Sequence, residues 1–127
     1  MRFINEVQNG KNTAPLVDLF TPDAINHTAP DRAPHGIESM RSALQTFFDA
    51  FPDLSAEVEL QIGEGDMVGT RKRFCGTHLG EFRGIPASGN RIDFAVMEFM
   101  EVRNGKITGH WGMVDTRALM AQIGGEA

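Results

Sequence analysis

The dipeptide Asn104-Gly105, set between the runs IDFAVMEFMEVR and KITGHWGMVD, restricts the fold more than any other feature of the chain. A two-residue type I′ turn needs positive φ at both central positions, which Asn and Gly tolerate and most residues do not. The flanking runs are predicted to be antiparallel strands, Ile92 to Arg103 and Lys106 to about Asp115. With Arg103 opposite Lys106, every later pair is fixed, and opposite residues share a face. One face then holds Glu101 with Thr108, Phe99 with His110, Met97 with Gly112 and Ala95 with Val114. The other holds Val102 with Ile107, Met100 with Gly109, Glu98 with Trp111, Val96 with Met113, and Phe94 opposite Asp115.

Both faces are largely apolar, whereas a hairpin in a two-layer monomer has one wet face. One face is expected to line the interior against helices and the other to meet a second subunit, so a homo-oligomer, dimer or tetramer, is predicted. Upstream, Leu54, Ala56, Val58, Leu60 and Ile62 alternate with Ser55, Glu57, Glu59 and Gln61, the mark of a half-buried strand. The tetrad GEGD turns it into a strand from Met67 to His78, and the Gly- and Pro-containing loop LGEFRGIPASGNR leads on to the hairpin. With GEGD as a four-residue loop, Arg71 faces Val58 on the apolar side and Lys72 meets Glu57 on the wet side. A buried Arg71 guanidinium then needs a carboxylate or a ligand.

Before these strands the period is helical. Phe3, Ile4 and Val7 precede the Asn9-Gly10 break, Leu16 to Phe20 follow Pro15, and AINHT reads as a short extended segment. The longest helix runs from about Gly36 to Phe51, with Ile37, Met40, Leu44, Phe47, Phe48 and Phe51 on one stripe and Pro52 as its stop. Thr116 to Ile123 forms a closing helix. Helices first and antiparallel strands afterwards give an α+β fold with the helices on one face of a single sheet, one domain over residues 1–127.

Composition narrows the partners. Seventeen acidic against twelve basic residues give a charge of -5, and Arg71-Lys72-Arg73 is the only basic cluster, so nucleic acid is not expected. No apolar run approaches the ~20 residues that span a bilayer, and Met1-Arg2-Phe3 does not open a secretory signal, which suggests a cytoplasmic protein away from membranes. Cys75 stands alone and reads as small core filler. His27, His35, His78 and His110 lie too far apart in sequence for metal-ligand spacing, so no metal is expected.

Three polar residues in the hairpin each have a structural reading and a chemical one. His110 is either a core histidine satisfied by a carbonyl and water or a functional imidazole. Glu98 either bonds the Trp111 indole or pairs with an arginine across an oligomer contact, or takes part in chemistry. Asp115 is a favoured residue type for the N-cap of the closing helix, or a catalytic carboxylate.

The segments NHTAP, GIESMRSALQTFFDAFPDL, GTHLGEFRGIPASGNRI and NGKITGHWGMVD, in that order, resemble the SnoaL-like polyketide cyclase family of the NTF2-like group. The resemblance implies a cone with N-terminal helices packed in the concave face of a curved, mainly antiparallel sheet. It also implies intramolecular aldol ring closure of a polyketide ester, an isomerase-type reaction, on a small-molecule substrate without metal or organic cofactor. By that resemblance Asp115 is the general acid/base, with His27 or His110 bonding the enolate. The pocket face is then that of His110, Phe99, Met97 and Glu101, with Arg71 nearby. Asp115 reaches it only through a break in alternation near Gly112. The chain has no tyrosine, so ketosteroid isomerase-like chemistry, which relies on one, is not expected. Arg71 with Asp93 and Asp115 is the candidate set for an epoxide hydrolase of this fold. A non-catalytic protein binding an apolar or lipid-like ligand is the alternative function.

Overall fold

The computed structural model describes residues 2–27 and 37–124. His35 and Gly36, and the Thr-Ala-Pro of the NHTAP segment, lie outside the described residues. A short π-helical segment, Phe3–Asn9, is followed by α1 (Leu16–Leu19), β1 (Phe20–Asn26), α2 (Ile37–Ala50), β2 (Ser55–Glu64), β3 (Met67–Thr77), β4 (Arg91–Arg103), β5 (Lys106–Val114) and α3 (Thr116–Gln122). The strands form one sheet in the order β1-β5-β4-β3-β2, antiparallel except that β1 runs parallel to β5. The extended segment before α2 is thus a fifth strand, and the α+β expectation is met.

Asn104 and Gly105 take φ of 52° and 77°, as the type I′ turn requires. Arg103 pairs with Lys106 and Val102 with Ile107, and there the predicted register ends. A bulge at Thr108 places Glu101 opposite Gly109, Met100 opposite His110, Phe99 opposite Trp111 and Glu98 opposite Gly112. The Thr108 hydroxyl holds the bulge by donating to the Glu101 carboxylate at 2.7 Å. Because side chains alternate with period two, a slip of one residue moves each β5 side chain to the other face relative to β4.

A second bulge does the same between β2 and β3. Val58 pairs with Lys72, and after the offset Leu60 pairs with Arg71. Leu60 and Ile62 are thereby turned outward, and the expectation for the two basic residues is reversed. Lys72 is on the buried face and Arg71 is exposed, bonded to Glu59 at 3.1 Å.

The inner face of the sheet presents Phe74, Phe94, Val96, Met100 and Ile107 to Met40, Leu44 and Phe48 of α2 and to Phe3, Ile4 and Val7. Two side-chain amides complete exposed strand edges. Asn9 accepts from the Ala56 N–H at 2.6 Å and donates to its carbonyl at 3.1 Å, tying the first segment to β2. Gln122 bonds the N–H and carbonyl of Asp93 at 2.7 and 2.8 Å, so α3 continues where β5 stops. The first segment is short, yet its buried Gln8 and Phe3 reach over the sheet.

Candidate active site

A polar cluster interrupts the apolar inner face. Lys72 on β3 and Glu98 on β4 are diagonal neighbours, because Glu98 pairs with Thr70, and their side chains are 0% and 2% exposed. The Lys72 ammonium donates to Glu98 Oε1 and, at 2.7 Å, to Gln8 Oε1. It also lies 5.6 Å from the ring centre of Phe3 and 5.2 Å from that of Phe74, where the electron-rich faces favour a cation. His110, brought inward by the β5 bulge, places Nε2 at 3.8 Å from Glu98 Oε1.

Burial is the largest influence on the Glu98 carboxyl and pushes its pKa up. The Lys72 charge and the His110 ring together outweigh it, and the carboxyl is held below the ordinary value of 4.5. Burial likewise dominates at Lys72, drawing it below 10.5 against the pull of Glu98.

Glu98 Oε2 and His110 Nδ1 are buried and have no hydrogen-bond partner among the described residues. Both residues line one cavity of about 120 Å³ between α2 and the sheet, where Gln8 and Asn26 are the other polar side chains and the rest of the wall is apolar, with Phe3, Met40, Phe47 and Phe74. An unpaired buried polar atom costs about 1–3 kcal/mol, so two of them at one hollow mark a place complementary to a guest with polar atoms of its own. The pair can also handle a proton. Glu98 Oε1 can accept from the Nε2 proton after a small approach, which leaves the Nδ1 lone pair to act as base.

The residues singled out in the sequence are divided by the sheet. His110 is inside, opposite Met100 rather than Phe99. Phe99 and Met97 are outside, 55% and 50% exposed, because they alternate with the buried Glu98 and Met100. Glu101 is also on the outer side, held by Thr108 and Arg103. His27 stacks on Trp111 with parallel rings 4.1 Å apart, outside the cavity. Asp115 does not enter the apolar cavity beside His110. It is exposed and caps α3, accepting from the Ala118 N–H at 3.1 Å. The chain turns from strand into helix there, and the alternation break needed to bring the carboxylate inward does not occur. Asp115, Met97 and Arg71 instead border an outer hollow of about 430 Å³ that is open to solvent.

Glu98 stood out in the sequence as a carboxylate among apolar residues, but its partner is Lys72, not Trp111 or an arginine. Lys72, Gln8 and Asn26 were missed. The buried Lys72 carried a signal, since it is the one member of Arg71-Lys72-Arg73 in step with Phe74 and Thr70. Among the described residues no three His, Cys, Asp or Glu side chains gather to hold a metal ion, and no helix is long and apolar enough to cross a membrane.

The model of the SnoaL-like polyketide cyclase family matches residues 1–123. Aklanonic acid methyl ester cyclase DnrD of Streptomyces peucetius is 26% identical over 109 residues, 85% of this chain and 73% of that protein. Among solved structures, TsrD of Streptomyces laurentii superposes with a TM-score of 0.86 at 27% identity, covering 95% of this chain and 89% of the other. IdmH of Streptomyces antibioticus gives 0.81 at 31% identity, with 94% and 91% covered.

Proposed function

From the premise that the chain belongs to the SnoaL-like polyketide cyclase family, we propose that it closes a ring in a polyketide ester by intramolecular aldol addition, with His110 and Glu98 handling the proton in the inner cavity. The observation behind this reading is a pair of buried atoms without a partner among the described residues, Glu98 Oε2 and His110 Nδ1, on one largely apolar hollow.

A carbon between two carbonyls is already acidic, so a positioned base suffices to form the enolate. His110 Nδ1 takes that proton. The enolate carbon attacks a ketone carbon of the same molecule, one carbon–carbon bond forms, and the new alkoxide takes the proton back from the imidazolium. No proton is gained or lost overall. The Glu98 carboxylate fixes the ring orientation and stabilises the charge it acquires, a benefit enlarged by the exclusion of water. Positioned acid/base catalysis of this kind contributes about 10²- to 10⁴-fold.

This reading moves the proton-transfer role from Asp115 and His27 to the interior. At Asp115 the carboxylate is exposed and engaged by a helix N–H, a setting that offers neither dryness nor, among the described residues, a neighbouring histidine. The outer face suits a different role. Leu60, Ile62, Met97, Phe99 and Met113 are each 50–75% exposed on one side of the sheet, and a second copy of the chain packed there would form a homo-oligomer and cover them.

The test is turnover of aklanonic acid methyl ester and related polyketide esters, followed as an isomer of unchanged mass. The wild-type protein should give the ring-closed isomer, and His110→Gln should slow it by about 10²-fold or more. Tight binding across the panel with no isomer formed would support the ligand-binding alternative instead.

A further inference from the structure

Lys72 has no part in the chemistry above, yet it is the most completely buried charge among the described residues. Its cost is considerable, because replacing a buried ion pair with apolar residues of similar volume is often neutral or stabilising. The surroundings show how tightly the group is placed. One N–H goes to Glu98 Oε1, a second to Gln8 Oε1 at 2.7 Å, and the rings of Phe3 and Phe74 flank the rest. Lys72 does not border the cavity, so it touches no guest there and any effect it has must pass through Glu98.

We propose that Lys72, anchored by Gln8, is a positioning residue for the reaction: it occupies Glu98 Oε1 and keeps the carboxylate ionised, so that Oε2 stays turned to the cavity and the charge stays beside His110. The proposal rests on the interior site described above. Its physical basis is a competition. Burial alone favours the neutral carboxylic acid, and a neutral Glu98 can neither stabilise an imidazolium nor leave both oxygens as acceptors. Among the described residues around the cavity, the charged or titratable groups near Glu98 are Lys72 from β3 and His110 from β5. The N-terminal segment contributes Phe3 and Gln8, β1 contributes Asn26, and α2 contributes Met40, Ala43, Leu44 and Phe47, none of which titrates. Among the described residues, Lys72 is thus the cation placed to hold the carboxylate.

The experiment is a carboxyl ¹³C NMR titration of Glu98 in the wild type and in Lys72→Met, together with the pH profile of kcat/KM for ring closure. In the wild type the Glu98 midpoint should lie below 4.5. In Lys72→Met it should rise above that value, and the acid limb of the activity profile should move up with it. Lys72→Arg, which retains the charge, should leave the midpoint low. If Lys72→Met does not fold, Lys72→Gln gives the same comparison with a neutral donor in place. An unmoved Glu98 midpoint in the neutral variants overturns the proposal. A raised midpoint with an unmoved activity profile leaves the hold of Lys72 on Glu98 intact but removes Glu98 from the reaction, so the proposal for catalysis falls together with the interior site.

Discussion

Glu98→Gln removes one charge from the most buried ion pair described and leaves Lys72 with amide oxygens alone. Breaking such a pair from one side costs about 3–5 kcal/mol. The substituted amide still offers a carbonyl to the ammonium, which puts the expected cost near the lower end, about 3 kcal/mol. For a chain of this length each kcal/mol moves Tm by roughly 4 °C, so Tm should fall by about 12 °C at pH 7. The pH dependence gives a sharper signature. With its counter-charge gone, the folded state prefers the neutral amine, while the unfolded lysine titrates near 10.5. Between the depressed folded value and 10.5 the unfolded state binds more protons, so stability rises with pH and the penalty of the substitution shrinks. Thermal unfolding followed by circular dichroism from pH 6 to pH 10 measures both effects. Adding Lys72→Met to the variant should restore most of the lost stability at pH 7. A drop of less than about 3 °C, or a penalty that does not shrink with rising pH, would refute the buried pair.

Glu98 and Asp53 are both held below their ordinary values of 4.5 and 3.8; at Asp53 burial opposes this, but bonds from the Thr77 hydroxyl and N–H prevail. Their contribution is present above those values and lost as pH falls through the folded ones, so denaturant unfolding should show stability dropping below pH 4.5, less steeply in Glu98→Gln. Asn9→Ala deletes both bonds to the β2 edge and should cost about 1–3 kcal/mol by the same assay, with cleavage by added protease rising first near Asn9. Phe99→Glu combined with Met113→Glu puts charge into the exposed outer face; sedimentation should show monomer where the wild type is an oligomer, and unchanged sedimentation would argue against a subunit contact there.

Much of the element order was legible because its signals are local. Asn104-Gly105 dictated a turn by φ alone, the 3.6-residue stripe from Ile37 to Phe51 required a helix, and Pro52 ended it. The faces were not legible, because β4 is apolar on both sides. Met97 and Phe99 look as much like core as Val96 and Met100, and only the partner strand's register distinguishes them. That register depends on Thr108, whose hydroxyl bonds Glu101 across the strands, and on the offset after Val58; neither bulge leaves a compositional mark. Two slips of one residue were enough to turn Lys72 inward, Arg71 outward, and His110 towards Glu98. Asp115 shows the opposite case. Its residue type suited a helix cap, the family resemblance suggested a catalytic carboxylate, and the geometry has the cap.

The proposed function requires proton transfer in the inner cavity, at His110, rather than at the strand end, at Asp115. The most direct measurement compares ring closure of a polyketide ester by His110→Gln and by Asp115→Asn, each checked for folding. Asn is itself a good cap, so the second variant should remain stable and keep its turnover within a few-fold of wild type, while the first loses about 10²-fold or more. Turnover abolished in Asp115→Asn and preserved in His110→Gln would contradict it.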